Sequence, residues 1–348
     1  MEEGSLFGIS NSNRSGKDLW GKNQFNSSFP AALACYMRSK NIPAVYLSLN
    51  EELNVVANDI AIDEVFNTDK PNESIRFEFE SKFEPYQQWA FDDIRNIDLI
   101  LKDGKDFLRA LEVKLTVIPD QTTFRKGEEE WSSELVIRPA TTSYCALGIA
   151  NSCRSVFNEI RPLFEPVGSS IQHWDNSFEI IAKQTQMLET LDTFQYQYLS
   201  FQQPFLLQPV WKTKGKSPLL SDNAFDIFVW SDFALCRTFL DKSYSTNEKV
   251  NRYMRSTARF FKILFEITQS RKVSIGKTYA QMTFGLQTDK EFALSGINTA
   301  PYIQSERRTK PILPPSILKD IILNGGEKLL SPERRFDQTI YYTASNLF

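Results

Sequence analysis

The 348-residue chain has one histidine, His173, and only four cysteines, none of them in a CxxC pair. A multi-histidine metal site is therefore not expected for want of parts, and a Ser/His/Asp triad, which would have to be built on His173, is not expected either. His173, in SSIQHWDNS, reads as a loop side chain. Cys35, Cys145, Cys153 and Cys236 are too widely spaced for a zinc ribbon or a disulfide framework, and they read as buried thiols. The chain also lacks any apolar run near the roughly eighteen residues that a membrane helix needs. MEEGSLFGIS has neither the basic start nor the apolar core of a signal peptide, so a cytoplasmic protein with no membrane partner is expected. Strong charge imbalance is missing too. The formal net charge is −3, with 24% charged and 41% hydrophobic residues, which allows a sizeable core but does not mark a nucleic-acid binder. Local basic stripes stay open. GISNSNRSGKD looks at first like a phosphate loop, but Gly8 to Gly16 is too long a gap and Asp18 stands where Ser or Thr should hold magnesium. No nucleotide cofactor is expected.

What is present alternates. Residues 1–29, rich in Asn, Ser, Gly and Lys, read as an N-terminal arm, and FPAALACYMRSKN begins a helix. Strands are expected at 42–50, 96–102 and 106–118, while 73–91 is aromatic and acidic without a clear period. YCALGIANSCRSVFNEIRPLF and FEIIAKQTQMLETLDTFQYQYLSF read as helices, followed by apolar strands at PFLLQPVWK and AFDIFVWSD. This interleaving points to an α/β fold with a mixed central sheet flanked by helices. From about 242 onward the pattern changes to one long basic helix and Pro-rich segments. The expected division is an arm at 1–29, a core at 30–241 and a C-terminal region at 242–348, all of which could form one domain.

The stretch RNIDLILKDGKDFLRALEVKLTV puts Asp98, Glu112 and Lys114 into an apolar strand context. Acidic-x-Lys also occurs at Glu80-Ser81-Lys82 and Asp103-Gly104-Lys105, but the first is a charged run and the second is turn chemistry. In RALEVKLTVI, period-two alternation sends Leu111, Val113, Leu115 and Val117 to one face and Ala110, Glu112, Lys114 and Thr116 to the other. LKDGKD is a hairpin signal, and register decides the outcome. A two-residue loop at Asp103-Gly104 would pair Asp98 with Arg109 and separate the carboxylates. A three-residue loop or bulge at Asp103 to Lys105 would pair Asp98 with Ala110 and make Glu112 its diagonal neighbour on the same face, so the second register is expected. Two strand-held carboxylates and a lysine suit magnesium-dependent phosphodiester hydrolysis: carboxylates bind the hard cation and the lysine holds the attacking water. A plain surface hairpin with a Glu–Lys neighbour pair is the alternative.

Asp98, thirteen intervening residues and then Glu112-Val113-Lys114 resemble the PD-(D/E)XK nuclease superfamily, with Ile97 where a proline often stands. The resemblance implies a restriction-endonuclease-like core in which Asp98, Glu112 and Val113 bind magnesium and Lys114 assists the water. A further acidic residue upstream is expected by the same likeness, at Glu84, with Glu80 and Glu78 as rivals. LWGKNQFNSSFPAALACYM is similar to the start of type II restriction endonucleases of the HindVP kind. That likeness implies a homodimer cutting double-stranded DNA at a short palindrome of the GRCGYC type, as part of a restriction–modification system. A repair or junction-resolving nuclease on the same core, and a non-catalytic DNA-binding protein, are the competing readings.

In NEKVNRYMRSTARFFKILFEITQSRK the basic residues Lys249, Arg252, Arg255, Arg259 and Lys262 recur at three- and four-residue spacing. One helix face could thus track DNA phosphates, or could simply be the solvated side of a packed helix. The clusters KTKGK at 212–216 and ERRTK at 306–310 offer further arginine and lysine for DNA.

Overall fold

The computed structural model describes residues 41–284 apart from 69–74, 95, 115, 120–134, 215–218 and 245–249, together with positions 30, 31, 34, 37 and 38 and the strand Phe292–Leu294. The expected arm at 1–29, Lys249, the ERRTK cluster and the Pro-rich segments lie outside the described residues. Eight strands build the main sheet: β1 (Ala44–Leu49), β2 (Val55–Ile60), β3 (Ile75–Ser81), β4 (Ile97–Asp103), β5 (Asp106–Val113), β6 (Thr116–Pro119), and, after the short β7 (Leu135–Ile137), β8 (Pro204–Lys214) and β9 (Leu219–Ser231). Their order is β2-β1-β9-β8-β5-β4-β3, with β6 also pairing β8, and a short β10 (Phe292–Leu294) pairs β7 apart from it. The sheet is mixed. β1 runs parallel to β9, and β5 and β6 run parallel to β8, whereas the other pairs are antiparallel.

Both faces of this sheet are covered, which explains the near-continuous apolar runs of its central strands. Successive residues alternate between two cores: Leu206, Phe228 and Trp230 belong to the larger, Leu207, Ile227 and Val229 to the smaller. The larger core packs against the helices Pro139–Ser152, Phe157–Gly168, Ser177–Gln197, Asp232–Leu240 and Arg252–Ser270. The smaller is closed by Ala31, Ala34 and Met37, each in helical conformation, and by the helix Ile62–Phe66. In the Pro139–Ser152 helix every residue from Thr141 to Ala150 is buried, so it lies inside the molecule. The Arg252–Ser270 helix shares this core through Met254, Phe260, Phe261 and Leu264, so residue 242 marks no break in it.

Several boundaries differ from expectation. The helix expected across 144–164 is two, Pro139–Ser152 and Phe157–Gly168, joined by a one-turn helix at Arg154–Val156. Ser152 Oγ donates to the Gly148 carbonyl, a local bond that competes with continued helix. β2 had no distinct sequence signal, the aromatic-acidic segment contains β3, and β10 adds a strand pair after 242. No helix among the described residues is long and apolar enough to cross a membrane.

The expected three-residue loop at Asp103 to Lys105 does not form. Asp103 pairs with Asp106, leaving Gly104 and Lys105 as a two-residue turn in which Gly104 takes φ 58, the left-handed region that glycine tolerates. The extra residue enters higher up: Leu101 pairs with Arg109 but Lys102 with Phe107, so Leu108 is bulged out. A bulge changes register as a longer loop would, but it keeps the tight turn and kinks the strand.

Candidate active site

Past the bulge, Leu99 pairs with Leu111, a register that carries Asp98 to the level of Glu112 rather than to Ala110. The two carboxylates therefore face each other across neighbouring strands instead of diagonally. Lys114 joins them, its Nζ 2.9 Å from Glu112 Oε2 and 3.5 Å from Asp98 Oδ2. The Val113 N–H donates to the same Asp98 oxygen at 2.8 Å, so Asp98 grips the β5 backbone between Glu112 and Lys114. Charge-assisted bonds of this kind are the stronger ones and fix the carboxylate.

Burial is uneven. The Glu112 side chain is 6% exposed, whereas those of Asp98 and Lys114 are 24% and 21% exposed. On the face that they share, Glu112 forms the floor, and Asp98 and Lys114 form the mouth. The physical cause is the second covered face, since Glu112 lies on the helix-packed side of a sheet buried on both sides. Burial pushes the Glu112 carboxyl up to about 8; the Lys114 ammonium pulls it down and nearby Asp98 pushes it further up. For Lys114, burial works against the charge, but Glu112 and Asp98 outweigh it and hold the ammonium protonated.

This chemistry suits a hard cation. Two carboxylates from adjacent strands already converge on a single cationic nitrogen, and the more buried of them lacks enough positive charge to ionise fully near neutrality. Among the described residues no group of three or more Asp, Glu, His or Cys comes together to hold a metal. Glu84 is exposed at the start of the short helix Glu84–Gln87, and Glu78 lies near Lys102 at 3.4 Å and accepts from Ser81 Oγ. Neither joins the pair. Glu80 falls between the pairs Phe79–Leu99 and Ser81–Ile97, level with Asp98, and its φ of 49 is uncommon for a non-glycine residue.

A polar chain that the sequence reading passed over lies beyond Lys114. Gln208, fully buried, donates from Nε2 to Thr116 Oγ1 at 2.8 Å and accepts at Oε1 from Trp230 Nε1 at 2.7 Å. The available signal was a glutamine inside the otherwise apolar FLLQPVW. A separate cavity of about 90 Å³ at the other end of β5 is lined by Tyr86, Arg109, Gln203 and Asp232. There burial pushes Asp232 up to about 7. Asp98, Glu112 and Lys114 do not line it, so this cavity is not the place where they act.

The basic helix departs most from expectation. Arg255, Arg259 and Lys262 are 1%, 5% and 6% exposed, and so do not form a solvent-facing stripe. Arg259 Nε donates to the Met282 carbonyl at 3.1 Å with its guanidinium over the Tyr279 ring, and Lys262 pairs with Glu266. For Arg259 the cause is the helix Ile275–Gln281 and Met282 after it, which pack on that face, whereas the Lys262 ammonium lies over the Trp174 ring. Arg252 alone among the described four is exposed.

The sequence profile of the HindVP restriction endonuclease family matches residues 20–348. The chain is 39% identical to the type II restriction enzyme HgiDI of Herpetosiphon aurantiacus, across 99% of this chain and 97% of that one. It is 37% identical to the probable type II restriction enzyme HindVP of Haemophilus influenzae, across 99% of this chain and 94% of that one. No solved structure matches.

Proposed function

The chain belongs to the HindVP restriction endonuclease family, a family of type II site-specific deoxyribonucleases, and from that premise we propose that it cuts both strands of DNA with Mg2+ at the Asp98–Glu112–Lys114 cluster. The observation that carries this reading is the convergence of both carboxylates on one lysine nitrogen. Asp98, Glu112 and the Val113 carbonyl would hold the cation, as the PD-(D/E)XK resemblance implies. A bound Mg2+ supplies positive charge to the phosphoryl oxygen and makes water acidic enough to lose a proton closer to neutrality.

The chain's own groups do the positioning. Asp98 is fixed by the Val113 N–H, so its carboxylate does not swing when the site loads. Glu112, on the floor, must lose its proton for the site to take a cation, so loading the site releases that proton. Lys114, at the mouth, keeps its charge through its two carboxylate neighbours, so its ammonium can orient the attacking water and offset charge on the phosphate.

The DNA site is a short palindrome of the GRCGYC type, and two copies of the chain bind it symmetrically, because a palindrome presents the same half-site twice. The test is digestion of a defined plasmid by the purified protein with Mg2+, followed by sequencing of the ends. Discrete cuts at one palindrome are expected. Random nicking, or no cleavage with any divalent ion, would overturn the reading.

A further inference from the structure

β5 and β6 pair with β8 at one constant offset: Glu112 with Leu206 and Val113 with Leu207 before Lys114, Thr116 with Val210 and Val117 with Trp211 after it. They are thus one strand interrupted at Lys114, with no residue inserted. Lys114 N–H still donates to the Leu207 carbonyl at 3.0 Å. The next bond of a parallel ladder would run from the N–H of residue 209 to the Lys114 carbonyl, and residue 209 is proline. A proline has no N–H, so the ladder loses that bond at the lysine. On the opposite edge, the Val113 N–H goes to the Asp98 side chain.

Around Lys114, then, one backbone bond of the ladder is missing, and side-chain bonds flank the gap on both sides. Just beyond the break, Gln208 grips Thr116, and Gln208 is itself anchored on Trp230. Its orientation is determined. An indole N–H can only donate, so Trp230 must take the amide oxygen, which leaves the amide nitrogen for Thr116. All three side chains are buried, Gln208 and Trp230 completely, and a buried amide that loses a partner is costly.

We propose that Gln208 is a positioning residue for the reaction: through Thr116 it refastens the strand beyond the break made by Pro209, and so sets where Lys114 stands relative to Asp98 and Glu112. The inference rests on the proposed nuclease site, because it concerns the placement of that site's lysine.

The experiment compares Thr116→Val, Thr116→Ser and Lys114→Ala in full-length protein. The readouts are single-turnover DNA cleavage with Mg2+, DNA affinity without divalent ion, and melting temperature. Valine keeps the β-branched shape of threonine and removes only the hydroxyl. Thr116→Val should lower the cleavage rate about tenfold, a step of about 1.4 kcal/mol in barrier, with DNA affinity changed less than about twofold. Thr116→Ser should recover most of the rate. In a Pro209→Ala background, where the ladder N–H is restored, the penalty of Thr116→Val should shrink, the signature of two devices serving one purpose. Parental cleavage by Thr116→Val, or a loss matched by weaker DNA binding and not rescued by serine, would overturn the proposal. If Lys114→Ala itself cuts at the parental rate, the nuclease site has been misplaced and the failure belongs to that reading; an inactive Lys114→Ala beside a normal Thr116→Val sinks this inference alone.

Discussion

The β4–β5 hairpin and the Arg252–Ser270 helix both set charged residues into apolar surroundings, and the structure treats them in opposite ways. On the hairpin, charges of both signs from two strands and the break after β5 point at one another, with Glu112 and Lys114 2.9 Å apart. On the helix, Arg259 meets a carbonyl and an aromatic ring, and Lys262 meets its own helix's Glu266. The first arrangement gathers unlike charges at one point, as a reactive site requires. The second engages each of these two charges separately. Burial alone therefore does not identify function; what distinguishes the regions is whether the charges converge.

The largest effect expected from breaking this contrast is at Lys114. Lys114→Ala should lower DNA cleavage by about two orders of magnitude or more, the scale of removing one electrostatic or proton-handling group. DNA binding should change little, while Glu112→Ala should lose cleavage together with Mg2+ affinity. Near-parental cleavage by both variants would reduce the hairpin to an ordinary ion pair and erase the difference between the regions.

A smaller effect, of another kind, belongs to the helix. Arg259→Ala should cost roughly 1–3 kcal/mol of stability through lost carbonyl bonds and ring contact, measured by thermal or denaturant melts. The salt dependence of DNA binding should stay unchanged, because the guanidinium is already engaged inside the protein. Exposed Arg252→Ala should leave stability nearly unchanged. A flattened salt slope in Arg259→Ala would return the buried face to phosphate binding.

The smallest effect sharpens the comparison through pH. Glu112 has a folded pKa raised from 4.5 to about 8, chiefly by burial, so it favours the folded state fully below about 4.5. Without a cation, that contribution is lost as pH rises from 4.5 to about 8, because the unfolded chain releases the proton first. Mg2+ needs the ionised form, so its stabilising effect should grow across the same window, reaching about 1.4 kcal/mol at ten times the dissociation constant. Glu112→Gln should flatten the profile, as melting temperatures with and without Mg2+ would show. A pH-independent Mg2+ effect would remove Glu112 from the cation site.

The residues of the candidate site were legible because strand alternation is strict: once RALEVKLTV is a strand, Glu112 and Lys114 must share a face. The main strands and the α/β class were legible for the same reason, since apolar runs and turn signals are local. Three things were not. The bulge at Leu108 depends on pairing between strands, and the same LKDGKD supports several registers. The burial of Arg255, Arg259 and Lys262 depends on chain from beyond the helix, which a helical period does not reveal. Thr116, Gln208 and Trp230 are far apart along the chain and become one chain of hydrogen bonds only when β6, β8 and β9 lie side by side. The sequence by itself determined which chemical groups each element offers and which face of a strand they share, because those follow from backbone periodicity. Only the tertiary structure decided which groups meet, how deeply Glu112 is buried and which charges are already spent, because each depends on register and on packing from distant segments.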